Sequence, residues 1–213
     1  MAAFGASFRA SRPVLLYNYD DKEGEESMLP FLLILLVLVH GVVFWAIGTY
    51  NKLVGLKVRG DNAWSDVDVQ LKRRYDLIPN LVETVKGYAA HEKSTFEEVT
   101  KWRNAAMNAQ SPGDKAQAEN MLTGALKTLF AVAENYPQLR ATENFQSLQK
   151  DLAGIEDAVQ NARRYYNAVV RDYNTKILMF PSSIVANFGN FKQREFFELS
   201  SAAEREAPKV QFT

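Results

Sequence analysis

The residues best equipped for chemistry lie in one tract, running from Val69 through Arg73, Arg74, Tyr75, Asp76 and Pro79 to Asn80 and Leu81. Arg73 and Asp76 are three apart and Asp76 and Asn80 four apart, so on a helix they share a face. Two adjacent guanidinium groups, joined by Arg163 from a later segment, could hold an anion or a small acidic ligand. The same residues admit a structural reading. Arg74 falls where an apolar seam residue belongs, and a buried guanidinium requires a partner because an unpaired buried charge is very costly. Glu156 and Asp157 are the acids that could supply it.

A second constellation is a repeat. Tyr166-Asn167 and Tyr173-Asn174 recur seven residues apart, a spacing that returns to the same helix face. Tyrosine in such a place buries its ring and sends its hydroxyl to a partner. The repeat is either a polar lock within the core or a docking surface for another protein.

Other chemistries find no residues to carry them. With no cysteine, the chain cannot form disulfides, iron–sulfur ligation or thiol nucleophiles. His40 and His91 are the only histidines, and His91-Glu92 lacks the second histidine of a zinc-binding His-Glu-x-x-His helix. No phosphate-cradling glycine loop and no nucleophile elbow occurs. Asp66 and Asp68 are two apart, so on a helix their carboxylates diverge. The expectation is a protein that is not an enzyme and takes no cofactor or metal. Lysine plus arginine equals aspartate plus glutamate at 25 each, which argues against a general nucleic-acid binder.

Long helices must position these residues. Trp64, Val67, Leu71, Arg74, Ile78, Leu81, Val85 and Tyr88 recur at alternating steps of three and four. So do Leu148, Leu152, Ile155, Val159, Ala162, Tyr166, Val169 and Tyr173, and a shorter set, Ala118, Leu122, Ala125, Leu129 and Val132. Ser111-Pro112-Gly113-Asp114 reads as a helix start. Asn135-Tyr136-Pro137 and Phe180-Pro181 read as helix ends. Pro79 falls inside a strong pattern and predicts a kink, or two abutting helices. The predicted layout is a helix from the N-terminal region to near Ile78, then helices over about 79–109, 112–134 and 142–178. A tail over 182–213 follows Phe180 and holds Phe188, Phe191, Phe196 and Phe197, dense for a terminus. It either folds back on the helices or presents an apolar patch to a partner or membrane surface.

Ahead of this all-α unit, no charge occurs from Ser27 to Asn51, and Phe31–Ile47 is apolar except for His40 and Gly41. About 20 such residues cross a hydrocarbon core of about 30 Å. The segment over 28–51 therefore predicts a transmembrane helix, with Trp45 and Tyr50 at its headgroup edge. His40 is a functional candidate by its depth, or a neutral imidazole bonded to a local carbonyl. Lys52, Lys57 and Arg59 on one side outnumber Arg12 and Lys22 on the other, which favours a cytoplasmic location for the helical unit. Residues 1–27 are polar and acidic toward their end and predict disorder. About 160 residues remain beyond the anchor, enough for one domain with a real core.

The words of the chain resemble a known family. Tyr50-Asn51-Lys52-Leu53-Val54 directly follows the anchor, then Asn62-Ala63-Trp64-Ser65-Asp66-Val67-Asp68-Val69-Gln70-Leu71, then Arg73-Arg74-x-Asp76-Leu77-Ile78-Pro79-Asn80-Leu81-Val82. Ala162-Arg163-Arg164-x-Tyr166-Asn167, Tyr173-Asn174 and Phe180-Pro181 complete the set. Together they look like the LemA family, from about Met28 to the end. The resemblance implies a transmembrane helix followed by an antiparallel up-and-down, bromodomain-like four-helix bundle over 52–181. In bacteria it implies a single-pass protein of the inner (plasma) membrane with a cytoplasmic bundle. Residues 1–27 depart from the pattern, which begins near the anchor. The family supplies no catalytic residues. Some members are linked with membrane remodelling in magnetosome formation, or lie beside membrane peptidase genes. The functions that follow are a non-enzymatic scaffold, homo-oligomeric or bound to another membrane protein, an anion sensor using Arg73, Arg74 and Arg163, or an accessory to a membrane peptidase. Arg73, Arg74, Asp76, Asn80, Arg163, Tyr166, Asn167, Tyr173 and Asn174 are the candidate structural or docking residues.

Overall fold

The computed structural model describes the backbone of residues 20–198 and the side chains of residues 28–198. Among the described residues it is all-α, with helices α1 (Asp20–Lys86), α2 (Lys93–Asn108), α3 (Pro112–Glu134), α4 (Pro137–Arg140), α5 (Glu143–Leu178) and α6 (Ser182–Phe188). The chain divides into two compact units, Met1–Gly48 and Thr49–Thr213.

In the first unit, the side chains from Met28 to Ile47 are solvent-facing almost without exception, apolar residues included. One helical segment here is long and apolar enough to cross a membrane. His40 Nδ1 donates to the Leu36 carbonyl at 2.7 Å, one turn back, so the imidazole satisfies a donor within its own helix. Of residues 1–27, for which disorder is expected, the backbone over 20–27 is the start of α1. Residues 1–19 lie outside the described residues.

The second unit has a main core and a smaller buried cluster. The last part of α1 contributes Val67, Leu71, Ile78, Leu81 and Val85, α2 Phe96, Val99 and Ala106, α3 Leu122 and Leu129, and α5 Leu152, Ile155, Val159 and Tyr166. These are the positions where the three- and four-residue steps fall, because only one stripe of each helix can face its neighbours. Trp64 is half-buried against Tyr166, and Tyr88 at the other end of its stripe is exposed. Side-chain pairs give the directions. Arg74 meets Glu156 and Trp64 meets Tyr166, so α5 runs opposite to α1. Asp68 meets Lys115 and Arg74 meets Glu119, so α3 runs with α1.

The helix boundaries follow local chemistry at most junctions. Ser111 accepts from the Asp114 amide at 3.1 Å with Pro112 in the first turn, and Thr142 accepts from the Phe145 amide at 3.4 Å. Pro79 is where expectation and structure part. The helix expected to end near Ile78 continues to Lys86, and the break falls instead at residues 87–92, opening on Gly87. Proline has no amide to donate to the carbonyl four residues earlier, which is that of Tyr75. Arg103 of α2 supplies the missing donor: its Nε reaches the Tyr75 carbonyl at 2.7 Å. A side chain from a neighbouring helix therefore repairs the hydrogen-bond ladder, and α1 passes through.

This repair predicts a specific coupling. Arg103→Leu should destabilise the fold by about 1 to 3 kcal/mol, the cost of leaving a part-buried carbonyl unpaired. In a Pro79→Ala background the restored amide takes over that carbonyl, so the same substitution should cost markedly less. A double-mutant cycle by chemical denaturation measures the difference; additive effects would show that Arg103 does not serve this carbonyl.

Candidate functional site

Arg74 is the centre of a buried ionic network. Its Nη1 lies 2.9 Å from Glu119 Oε2 and 3.2 Å from Glu156 Oε2, and its Nη2 donates to Thr123 Oγ1 at 3.1 Å. The other oxygen of Glu119 accepts the Tyr75 hydroxyl at 2.5 Å. Arg74 is 4% exposed and Glu119 fully buried. One guanidinium thus ties α1 to α3 and α5 together, and Glu119 is shared between two consecutive residues of α1. Among the described residues, no buried side-chain nitrogen or oxygen lacks a partner. A second pair, Lys115 Nζ to Asp68 Oδ1 at 2.6 Å, joins α1 and α3 near the start of α3, with the ammonium 5.7 Å from the centre of the Trp64 ring.

Burial sets the electrostatics. It raises the Glu119 carboxyl above the usual carboxylate range, against the pull of Arg74 and of the Tyr75 hydrogen bond. Burial, then the charge of Glu119, pushes the Tyr75 phenol far up, so it serves as a fixed donor. Arg74 is already met by two carboxylates and a hydroxyl, and an incoming anion would have to displace them.

The other members of the tract go elsewhere. Arg73 is exposed and donates to Gln70 Oε1 at 3.2 Å, while Asp76 and Asn80 are exposed on the same side of α1. Arg163 lies two turns along α5 from Glu156, the residue of α5 that meets Arg74. Of the three arginines, Arg74 is buried against acids while Arg73 is exposed. Of the two acids proposed as partners, Glu156 is one and Asp157 is exposed, and the principal partner is Glu119 of α3. Glu119 stands three residues before Leu122, and a seam drawn through 119, 122, 126, 129 and 133 would have exposed it.

The Tyr-Asn repeat grips the chain's own tail. Asn174 Nδ2 donates to the Arg194 carbonyl and its Oδ1 accepts from the Arg194 amide, both at 2.9 Å. Asn167 does the same to Phe197, at 3.0 and 2.9 Å. A carboxamide presents one donor and one acceptor side by side, so it meets an extended residue as an opposing strand residue would. The spacing fits. Seven helical residues rise about 10.5 Å. Three extended residues span about 10 Å. Between the two brackets the Tyr166 hydroxyl donates to the Glu195 carbonyl at 2.9 Å. Phe197 is fully buried, with its ring 5.5 Å from that of Trp64.

The tail's charged side chains extend the grip. Arg194 reaches Asp61 at 2.7 Å and the Lys57 carbonyl at 3.1 Å, both on α1. Gly60 leaves room for this: a Cβ there would sit 3.1 Å from Arg194 Nη1. Glu195 Oε2 accepts from the Gly113 amide at 3.2 Å, in the first turn of α3. Arg103, Arg194 and Glu195 were not singled out from sequence. Each contacts a backbone group distant in the chain, and no local pattern marks such a partner. Of the tail phenylalanines, Phe197 is buried and Phe191 packs on the core, while Phe180, Phe188 and Phe196 are exposed.

A polar brace inside an all-α core, behind one apolar helix segment, defines a helical, membrane-associated class of protein. The comparisons give the family. The model for the LemA family matches residues 63–212, and the chain belongs to that family. It is similar to "Magnetosome protein MamQ 2" of Paramagnetospirillum magneticum, 25% identical over 181 residues, covering 73% of this chain and 66% of that relative. The chain therefore spans slightly less than two thirds of that protein's length. It is also similar to "Magnetosome protein MamQ" of Magnetospirillum gryphiswaldense, 23% identical with 89% and 80% covered. "Protein LemA" of Metamycoplasma hominis is 26% identical, with 73% of this chain and 72% of that protein covered.

Two outcomes follow. Glu119→Leu should destabilise the fold by about 3 to 5 kcal/mol, because it strands a buried guanidinium. Since the folded carboxyl is raised, its contribution is fully present below the unfolded value and is lost as pH rises through the folded one. The melting temperature should accordingly fall with rising pH across that window, and in Glu119→Gln this part of the slope should vanish. For the clamp, Asn167→Ala or Asn174→Ala should each cost about 1 to 3 kcal/mol. Hydrogen exchange at 194–197 should then accelerate ahead of the core, whereas unchanged protection would mean the brackets do not hold the tail.

Proposed function

We propose that this LemA-family protein is a non-enzymatic, single-pass scaffold that displays its helical unit at a membrane surface and assembles with copies of itself or with another membrane protein. The observation that carries this reading is the commitment of the polar residues. Arg74, Glu119, Tyr75, Tyr166, Asn167 and Asn174 are spent on bracing helices and tail to one another. A unit braced in this way holds a fixed surface, which is what a scaffold offers a partner. The apolar, solvent-facing segment over 28–47 and the membership of the LemA family support a membrane location. The excess of Lys52, Lys57 and Arg59 after that segment supports a bacterial plasma membrane orientation with the helical unit in the cytoplasm.

Because the chain lacks cysteine, one introduced thiol reports both points. Tyr165 is half-exposed on α5, so Tyr165→Cys leaves the core intact. An impermeant maleimide should label it only after the cells are opened, and labelling in intact cells would place the helical unit outside. Crosslinking in native membranes should trap a homo-oligomer or a membrane-protein partner in stoichiometric yield. A strictly monomeric, partnerless protein would rule out the scaffold.

A further inference from the structure

From Ile177 to Phe191 the chain carries no charged residue, and lysines stand at both ends, Lys176 and Lys192. This stretch is the elbow between α5 and α6. Leu178, Met179, Phe180, Ile184 and Phe188 project from it with 57 to 97% of their surface exposed. Elsewhere on the second unit, large exposed apolar side chains occur mostly singly along the chain. Such a cluster in one segment marks an interaction surface.

Two further observations say what covers it. The first is position. The inner side of the elbow packs on α1 just past the apolar segment: Leu53, Tyr173, Ile177 and Ala186 form one buried cluster, and Phe191 meets the Tyr50 ring edge-on at 5.3 Å. Tyr50 is three residues from Ile47, the last of the apolar run, and the chain cannot separate them by more than about 11 Å. The second is backbone satisfaction. The Ser182 hydroxyl lies within hydrogen-bond distance of the Lys176 and Met179 carbonyls, at 2.7 and 2.8 Å, and shares its one hydrogen between them. The Ser183 amide also reaches the Met179 carbonyl at 2.8 Å, the Gly189 amide the Val185 carbonyl at 2.9 Å, and the Phe191 amide the Ala186 carbonyl at 2.9 Å. A segment that enters lipid must satisfy its peptide groups internally, and this one largely does.

We infer that the α5–α6 elbow dips into the interfacial layer of the same bilayer that holds the N-terminal helix, giving the helical unit a second membrane contact. Phe180, Ile184 and Phe188 enter the acyl boundary, while Lys176 and Lys192 sit at lipid phosphates. The elbow then holds the unit close against the membrane, which a single tether does not. This rests on the anchor reading above, and the test separates the two.

The full-length protein is reconstituted into phosphatidylethanolamine–phosphatidylglycerol vesicles with a nitroxide on one introduced cysteine. The probed variants are Ile184→Cys and Phe188→Cys. Both positions are exposed, so neither change empties the core. Leu36→Cys reports the anchor and Tyr165→Cys reports water. Relaxation by oxygen should exceed relaxation by a nickel chelate at 184 and 188, as at 36, with the order reversed at 165. If 184 and 188 behave like 165 while 36 reports lipid, the elbow inference is overturned and the anchor stands. If 36 itself reports water, the anchor reading fails and takes the inference with it. Shielding from both reagents with spin–spin broadening at 188 would mean that a second copy covers the elbow, and would also overturn it.

Discussion

A guanidinium keeps its proton inside a protein, so Arg74 brings a permanent charge into the core, and much else is arranged around that fact. The charge requires acids from two other helices, Glu119 and Glu156, and a hydroxyl from Thr123. Glu119 in turn requires a second donor, and the next residue along α1, Tyr75, provides it. Apolar seams alone tolerate sliding, since one turn of leucine and alanine resembles the next. α3 buries four alanines in its seam and is open to such a slip. A single polar pairing makes the slipped register leave a charge unpaired, which is why a costly group can be worth keeping.

The same neighbourhood carries the repair of α1. Pro79 removes the amide that the Tyr75 carbonyl would have used, and Arg103 replaces it. The residue whose hydroxyl steadies Glu119 therefore has its backbone steadied from α2. Four helices meet within two turns of α1, and no member of the group can be changed without exposing a cost at another.

The tail is a second register device, applied from outside. It links α1 through Asp61, α3 through Gly113 and α5 through Asn167, Tyr166 and Asn174, and it seals Trp64 beneath Phe197. Its contacts are mainly with backbone groups, so the grip depends on an extended conformation more than on particular tail side chains. The elbow that precedes the tail leaves its largest apolar groups on the surface while its own peptide groups are satisfied. Within one short segment the chain passes from an apolar surface to a tightly held strap.

By itself, the sequence determined the helices. The three- and four-residue periodicity named Val67, Leu71, Ile78, Leu81 and Val85 of α1 and Leu152, Ile155, Val159 and Tyr166 of α5, but in α3 it passed over Ala116, Glu119, Leu126 and Ala133. The Ser-Pro-Gly-Asp signal placed the start of α3, and the charge-free run marked the apolar segment. These signals are local, because each depends on side chains within a turn or two. Even the Tyr-Asn repeat announced its face, and its seven-residue step is a property of the helix alone. What only the tertiary structure decided is who meets whom. That Arg74 pairs first with Glu119, that Arg103 answers for Pro79, and that the two asparagines hold Arg194 and Phe197 all depend on contacts between residues 20 to 45 positions apart. A charge or a carboxamide states in sequence that it needs a partner. The choice among several chemically equivalent partners is made by the packing of helices, which brings one within 3 Å and leaves the rest in water.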